Sequence, residues 1–338
     1  MPHLTRRFAT VLAAFAVLVG CSSARAETDV KLLLDWVFQS NHAIFTMASD
    51  SGYFSDAGLR VKIDRGFGSA DTISKVAAGT YDFGFADLNV LVDFNAKNPT
   101  NTVVGVFVSF DATLNAVISL AKSNIRTPKD LIGKRIAAPI ADNSRQLFPI
   151  FAAANGIDPN SVTWISVQPN LRDSLMIRGD ADAVASFAST TILALENLGI
   201  ARQNLNIMWF SELGVDLYGH AVVVSSKFLA AHPDVVRGFV AAVVRGTKQA
   251  LSDPNAAVAS VMKRDSLLKE GEEMHRLMLL RDLAIVTPSV RANGLSYVDP
   301  ERLARTTSFV AKALDLAPPT PSDIFRGDFL PPLADRKL

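Results

Sequence analysis

The stretch Leu34-Asp35-Trp36-Val37-Phe38-Gln39-Ser40-Asn41-His42 lies where a short apolar run ends and a helical pattern begins. The run from Val30 to Leu34 predicts a buried strand, and apolar residues recur at helical spacing from Ile44 onward. The polar and aromatic residues between them are therefore predicted to form a strand-to-helix turn. In an open α/β sheet, such turns lie at the carboxyl ends of the strands, where ligands bind. This turn is the first candidate for a binding site.

Length and composition favour a globular protein with two lobes. At 338 residues, the chain exceeds the size at which a single hydrophobic core usually keeps growing. Hydrophobic residues make up 49% of the chain and charged residues 20%, which is typical of a well-buried protein. This composition excludes a disordered chain or one that coats nucleic acid.

Residues 1–26 have the pattern of a secretory signal peptide. Arg6 and Arg7 precede an apolar run from Phe8 to Gly20, and Ala24-Arg25-Ala26 supplies the small residues of a cleavage site. A transmembrane anchor is the alternative, but about 20 apolar residues are needed to span a bilayer and this run is shorter. Leu18-Val19-Gly20-Cys21 also resembles a bacterial lipobox, in which the cysteine is lipidated. Export is therefore expected, and a soluble form and a form tethered through the cysteine both stay open.

The charge and cysteine content of the mature chain narrow the class further. The segment 1–26 holds three arginines and no acidic residue, so its removal leaves 31 basic against 33 acidic residues. This balance indicates no basic face for nucleic acid. Cys21 is the only cysteine, which excludes a disulfide framework and cysteine-based metal binding in the mature protein.

Strand, turn and helix recur along the chain, which is the signature of an α/β protein with parallel-type sheets covered by helices. Two extended apolar runs, residues 114–120 and 218–224, interrupt this pattern and are predicted to be a pair of hinge strands. They divide the mature chain into a first lobe of residues 27–114 with 222–338 and a second lobe of residues 115–221. Turns at the strand ends of both lobes are expected to face one crevice.

Several motifs together resemble one protein family. They are Leu34-Asp35-Trp36 with Asn41-His42-Ala43, Gly52-Tyr53-Phe54 with Ala57-Gly58-Leu59, Lys75-Val76-Ala77-Ala78-Gly79 with Tyr81-Asp82-Phe83-Gly84, and Lys129-Asp130-Leu131-Ile132-Gly133-Lys134. With this spacing the chain resembles the periplasmic solute-binding proteins of ABC importers that serve nitrate, sulfonates, taurine and thiamine-pyrimidine precursors. After Asp180 the family's glycine and tryptophan pattern is replaced by Ala185-Ser186-Phe187-Ala188-Ser189.

This resemblance implies a type II periplasmic binding protein fold, in which two α/β lobes joined by two crossing strands close on a small solute. The closed form is then presented to an ABC permease in the inner membrane, and hinge closure of this kind is a standard domain motion. A periplasmic monomer without a cofactor or metal is expected. A receptor in place of a permease stays open as the partner.

The candidate ligand-binding residues come from the turns and from the resemblance. The opening turn looks most like the thiamine-pyrimidine branch, whose heterocyclic ligand is stacked by aromatic side chains, and acids outnumber bases among the turns, with Arg145 the main cation. A capping or core role stays open for each candidate. The candidates are Trp36, Asn41, His42, Gly68, Ser69, Asp87, Asn89, Phe110, Asp142, Asn143, Ser144, Phe187, Ser189, Asp216 and Tyr218.

Three functions are compatible with the sequence: binding of an aromatic heterocycle, binding of an anion, and an enzymatic activity. The turns favour a neutral or cationic aromatic heterocycle such as a pyrimidine, although an anion such as nitrate, taurine, a sulfonate or an aromatic carboxylate could be held by helix N-termini. The rival class is a pyrimidine-synthesising enzyme on the same fold, which requires a histidine donor and a cysteine-rich iron motif. The single cysteine and the absence of Gly-x-Ser-x-Gly and His-Glu-x-x-His motifs favour a binding protein over an enzyme.

Overall fold

The computed structural model describes residues 27–215 and 217–338, so the predicted signal peptide and Cys21 lie outside the described residues. The strands are β1 (Thr28–Leu33), β2 (Leu59–Asp64), β3 (Phe83–Asp87), β4 (Val103–Val108), β5 (Asn115–Leu120), β6 (Arg135–Ala138), β7 (Thr163–Ser166), β8 (Ala183–Phe187), β9 (Leu205–Trp209) and β10 (His220–Ser225). They form two five-stranded sheets with the orders β2-β1-β3-β10-β4 and β7-β6-β8-β5-β9. The predicted two-lobed α/β fold is confirmed.

Each sheet is mixed, with one antiparallel strand that arrives from the other sheet. β10 runs antiparallel to β3 and β4, and β5 runs antiparallel to β8 and β9, whereas β1, β2 and β3 are parallel. The register pairs His220 with Asp87 and Asn115 with Phe187, so each incoming strand starts at the carboxyl end of its neighbour. The parallel strands run toward the cleft, whereas a strand that enters the sheet from the cleft runs away from it. The incoming strand is therefore antiparallel to its neighbours.

Helices cover both faces of the two sheets. The α-helices are α1 (Ala43–Asp50), α2 (Tyr53–Asp56), α3 (Ser69–Ala77), α4 (Leu88–Lys97), α5 (Asn143–Gln146), α6 (Phe148–Ala154), α7 (Arg172–Arg178), α8 (Ala188–Asn197), α9 (Ser226–Ala231), α10 (Pro233–Ser252), α11 (Pro254–Met262), α12 (Glu270–Leu280), α13 (Pro288–Asn293), α14 (Pro300–Ala313), α15 (Pro321–Ile324) and α16 (Leu333–Arg336). Short 3₁₀ turns connect them, among them Ser40–His42. In the part of the chain that is described, no helix is both long and apolar enough to cross a membrane.

Helix α10 holds the start of α1 in place and thereby the turn that precedes it. Its apolar stripe is buried, and Phe239 stacks on Phe83 of β3 with ring centroids 3.9 Å apart. At Gly246 a Cβ atom would lie 2.2 Å from the backbone oxygen of Ile44, so only glycine permits this close approach of the two helices. The close packing fixes where residues 35–42 meet the cleft.

Two connections, residues 109–114 and 210–219, link the sheets side by side. The amide of Gly219 donates to the carbonyl of Phe110 at 2.8 Å, and the amide of Thr113 donates to the carbonyl of Leu217 at 3.0 Å. His220 and Ala221 already pair in the first sheet, two residues before the predicted boundary of the first lobe. That the two lobes move relative to each other is a proposal.

Candidate functional site

The turns at the carboxyl ends of strands from both sheets enclose one small cavity. Its volume is about 20 Å³, which is room for about one water molecule. The two lobes are therefore in close contact in this structure. The cavity is lined by Asp35, Trp36, Gln39, Asn41, Asp142, Asn143, Arg172, Phe187, Thr190 and His220.

Asp35 binds two histidines, one on each carboxylate oxygen. His42 Nε2 lies 3.0 Å from Oδ1, and His220 Nε2 lies 3.0 Å from Oδ2. The backbone amide of Gln39 donates to His42 Nδ1 at 3.3 Å, so the proton of a neutral His42 ring is on Nε2 and is donated to Asp35. Burial by itself would raise the pKa of Asp35, but His220 and His42 outweigh it and hold the pKa well below its usual range. Asp35 is therefore a fixed negative charge in the cleft.

His220 is enclosed by aromatic rings. Its ring centroid lies 5.1 Å from that of Phe85 and 5.4 Å from those of Phe110 and Phe187, and the residue is only 2% exposed. Burial lowers the pKa of His220, but the Asp35 carboxylate together with Asp87 and Asp142 outweighs burial, so the net shift is upward. Its Nδ1 atom is buried and has no hydrogen-bond partner among the described residues.

Asp142 caps helix α5 on the opposite side of the cavity. Its Oδ1 accepts from the amides of Ser144 at 2.8 Å and Arg145 at 3.4 Å. Its Oδ2 lies 3.8 Å from Arg172 Nη1, too far for a hydrogen bond. Burial therefore outweighs the attraction of Arg172 and the amides, and it raises the pKa of Asp142 to about 6.

Arg172 places a buried cation beside the cavity. It is 1% exposed, its Nε lies 2.9 Å from Asp173 Oδ1, and its Nη2 donates to Thr191 Oγ1 at 2.6 Å. Its guanidinium carbon lies 5.6 Å from the ring centroid of Trp36, which belongs to the other sheet's turn. The cavity thus holds charges of both signs next to an aromatic surface.

Direct contacts join the two lobes around the cavity. Gly68, with φ of +134°, lies so close to residue 141 that a Cβ atom would be 2.1 Å from the Ala141 backbone oxygen. The hydroxyl of Thr190 donates to Gln39 Oε1 at 3.1 Å, and Asn143 Nδ2 lies 3.3 Å from Asp87 Oδ2. These contacts depend on the close approach of the lobes.

The predicted candidates fall into three groups. Lining the cavity are Trp36, Asn41, Asp142, Asn143 and Phe187. Directly behind the cavity wall are His42, bound to Asp35; Phe110, packed on His220; Asp87, which accepts from Asn115 and Asn143; and Ser144, which donates to Asn115 Oδ1. The remaining candidates do not line the cavity: Gly68 makes the contact with Ala141 between the lobes, and Ser69, Asn89, Ser189 and Tyr218 lie outside the lining as well. Asp216 lies outside the described residues.

Structural roles account for most of the third group. Gly68 precedes α3 as its N-cap, and the Ser69 hydroxyl accepts from the Asp87 amide at 3.0 Å. Asn89 Nδ2 donates to the Tyr218 carbonyl at 2.6 Å. The Tyr218 hydroxyl accepts from the Asp299 amide at 2.9 Å, next to helix α14.

Five residues that line the cavity are not among the candidates predicted from the sequence, namely Asp35, Gln39, Arg172, Thr190 and His220. The sequence pattern also predicts Arg145 as the main cation near the site, which is wrong: Arg145 lies 4.9 Å from the Trp164 ring centroid and donates to Ser166. Arg172 takes that place because α7 begins beside the α5 turn. His220 had a detectable signal, since it is the first residue of a strand that starts at the cleft.

Two five-stranded sheets joined by paired crossings, with a polar and aromatic cavity between them, are the architecture of the periplasmic-binding-protein fold. The chain belongs to the NMT1/THI5 like family, whose sequence pattern matches residues 39–257. The resemblance seen in the sequence motifs is thereby confirmed at the level of the family.

Individual relatives are identical to this chain at about a quarter of the aligned residues. The chain is 26% identical over 231 residues to the 4-amino-5-hydroxymethyl-2-methylpyrimidine phosphate synthase of Legionella pneumophila, covering 68% of this chain and 72% of the relative. It is 25% identical over 288 residues to the formylaminopyrimidine-binding protein of Halalkalibacterium halodurans, covering 81% and 85%.

The fold is also similar to that of a solved binding protein. The alkanesulfonate-binding protein SsuA of Xanthomonas axonopodis pv. citri, bound to MOPS, superposes with a TM-score of 0.68 at 15% identity. The match covers 89% of this chain and 99% of that one. At this level of identity the similarity concerns the fold.

Proposed function

We propose that this protein is the extracytoplasmic solute-binding component of an ABC importer, which captures a small solute between its lobes and delivers it to a permease. The observation that carries this proposal is a cavity built by both lobes and lined by His220, whose Nδ1 atom is buried without a hydrogen-bond partner among the described residues. Buried polar atoms in folded proteins are nearly always satisfied. A polar solute between the lobes would satisfy this atom.

Capture requires the lobes to move apart and together. A cavity of about 20 Å³ holds no organic solute, so entry needs an open form. The paired segments 109–114 and 210–219 are the covalent links between the sheets and would act as the hinge. Closure would then return the turns around Trp36 and Asp142 to one another with the solute between them.

The solute that we favour is a planar heterocycle of the pyrimidine-precursor type. Trp36 and Phe187 line the cavity from different lobes and would supply aromatic faces, worth about 0.5 to 1.5 kcal/mol beyond area burial. Asn41, Asn143 and Asp142 would hydrogen-bond its ring nitrogens and amino groups. The relative from Halalkalibacterium halodurans is named for binding such a compound.

An anionic solute is the second candidate, and one observation favours it. Arg172 is a buried guanidinium at the cavity, and guanidinium groups recognise carboxylates and sulfonates through planar, paired hydrogen bonds. Its partners Asp173 and Asp142 already offset this charge, however, so we rank a sulfonate, taurine, nitrate or aromatic carboxylate below a pyrimidine.

A calorimetric screen of residues 27–338 tests the proposal. The panel contains 4-amino-5-hydroxymethyl-2-methylpyrimidine, formylaminopyrimidine, taurine, an alkanesulfonate, nitrate and benzoate. We expect a pyrimidine to bind with a micromolar or lower dissociation constant, about 8 kcal/mol or more. Binding of an alkanesulfonate alone would contradict the pyrimidine preference, and binding of none would contradict the proposal.

The enzyme alternative is tested in the same samples. The Legionella relative carries a synthase name, so turnover must be measured directly. Chromatography and mass spectrometry after long incubation should return the solute unchanged and should detect no newly formed pyrimidine phosphate. Recovery of a modified compound would show that the protein is an enzyme.

The proposed location is the periplasm, either free or tethered through Cys21. Mass spectrometry of the exported protein decides between the two forms. An amino terminus at Glu27 indicates the free protein, and a diacylated Cys21 indicates the tethered one.

A further inference from the structure

Two histidines bind the same carboxylate in this cleft, but only one has a ring nitrogen to spare. His42 uses Nε2 for Asp35 and Nδ1 for the Gln39 amide, and it does not line the cavity. His220 uses Nε2 for Asp35, lines the cavity, and has no partner for Nδ1 among the described residues. The two rings are therefore matched in their partner and differ in their access to a solute.

We propose that His220 contacts the solute directly, donating a hydrogen bond from Nδ1 to an acceptor on it, such as a ring nitrogen or a carboxylate oxygen. This inference rests on the proposed binding function. It names the residue of that site that recognises a hydrogen-bond acceptor on the solute. It makes His220 a specificity-determining residue, which the pattern of the sequence did not identify.

The ring is held in one orientation by its surroundings. Asp35 binds Nε2, and the rings of Phe85, Phe110 and Phe187 pack around the imidazole at centroid distances of 5.1 to 5.4 Å. A side chain fixed in this way loses little entropy when a solute binds. The enclosing rings also exclude water, which strengthens a hydrogen bond made there.

The charges that face His220 make Nδ1 a donor. A neutral ring that donates from Nε2 to Asp35 would have a bare Nδ1, which can only accept, whereas the imidazolium donates from both nitrogens. Asp35 is in contact, Asp87 is opposite in the strand register, and Asp142 lies across the cavity. Arg172 is the opposing cation that lines the same cavity. The three acids favour the imidazolium, consistent with the raised pKa of His220.

The matched variants are His220→Gln and His42→Gln. Glutamine in place of His220 can still donate to Asp35 but has no atom at the position of Nδ1. Titration calorimetry of wild type and both variants with 4-amino-5-hydroxymethyl-2-methylpyrimidine and with benzoate is carried out at a series of pH values from pH 6 upward. For the probe that wild type binds, we expect His220→Gln to weaken binding by about 10- to 100-fold at pH 6, the scale of a hydrogen bond to a charged group.

The pH dependence separates a solute contact from a structural role. Wild-type affinity should fall as the pH is raised through the elevated pKa of His220 and the imidazolium loses its proton, and His42→Gln should keep this fall. His220→Gln should lose it. Asp142, whose pKa burial raises to about 6, also loses its proton as the pH rises, so the comparison between variants, rather than the wild-type slope, carries the test.

A measurement on wild type covers the case in which a variant does not fold. Spectra of the protein with ¹⁵N-labelled histidine should show one Nδ1–H resonance of His220 that shifts when the probe is added. Equal affinity and equal pH dependence in His220→Gln, or an unperturbed His220 resonance at saturation, would overturn the inference and leave the binding function standing. Failure of wild type to bind any compound of the screen would instead overturn the binding function, and the inference with it.

Discussion

Replacing Gly68 with alanine should prevent full closure of the cleft and leave each lobe folded. Gly68 has φ of +134°, and an added Cβ atom would lie 2.1 Å from the Ala141 oxygen and 2.4 Å from its carbonyl carbon. Ordinary contact begins at 3.4 Å, so the two backbones must separate by more than 1 Å. Because the neighbouring atoms are backbone of the other lobe, no side-chain rotation can relieve the overlap.

The magnitude follows from the cost of overpacking. An extra methyl group in a well-packed contact costs about 1 to 3 kcal/mol, and this cost falls on the closed form alone. At about 1.4 kcal/mol per tenfold, solute binding should weaken by roughly 5- to 150-fold. Alanine at positive φ also lowers the stability of the open form, which reduces the midpoint of thermal unfolding without changing affinity.

Gly79→Ala is the matched control. Gly79 lies at φ of +73° in the same lobe, and an added Cβ atom would meet no atom within 4 Å. Calorimetry with the bound pyrimidine and thermal unfolding without it are measured for both variants. We expect both to lose some stability and only Gly68→Ala to lose affinity. Wild-type affinity in Gly68→Ala would refute the close approach of Gly68 and Ala141 in the solute-bound form.

Three further variants test the cavity wall. Trp36→Ala should weaken an aromatic solute by about 1 to 3 kcal/mol in calorimetry while circular dichroism stays native; loss of the fold would mean that Trp36 is a core residue. Burial raises the pKa of Asp142 to about 6 from 3.8, so the folded state keeps a proton that the unfolded state releases. Stability to urea should fall by about 2 kcal/mol between pH 4 and pH 6 from this group, and Asp142→Asn should remove that fall; an equal pH slope in the variant would contradict it. Arg172→Met should lower the free energy of unfolding by about 3 to 5 kcal/mol, because Asp142 and Asp173 lose their buried cation, and an unchanged urea midpoint would contradict that pairing.

Local patterns in the sequence predicted the fold and those cavity residues that lie next to a predicted strand or helix. The alternating residues of β2 and the apolar run of β3 identify strands because their periodicity is set by nearest neighbours along the chain. Trp36, Asn41, Asp142 and Phe187 could be chosen because each follows directly on a predicted strand or precedes a predicted helix.

The remaining cavity residues depend on contacts that sequence periodicity does not contain. Arg172 lies 30 positions after Asp142 and reaches the cavity only because α7 and α5 both flank the second sheet. His220 and Asp35 are 185 positions apart in the sequence. They meet because β10 is inserted antiparallel beside β3. Asp35 lay within the opening motif, but its partners were needed to show that it organises the site.

Distance measurements between the lobes show directly whether the lobes close on the solute. The sequence has its only cysteine at position 21, so residues 27–338 with Arg65→Cys and Gln168→Cys carry one spin label on each lobe at exposed positions. Double electron–electron resonance is recorded without solute and with a saturating pyrimidine. We expect the solute to shorten and narrow the distance distribution. An identical distribution in both samples, at a concentration where calorimetry shows saturation, would contradict closure of the lobes on the solute.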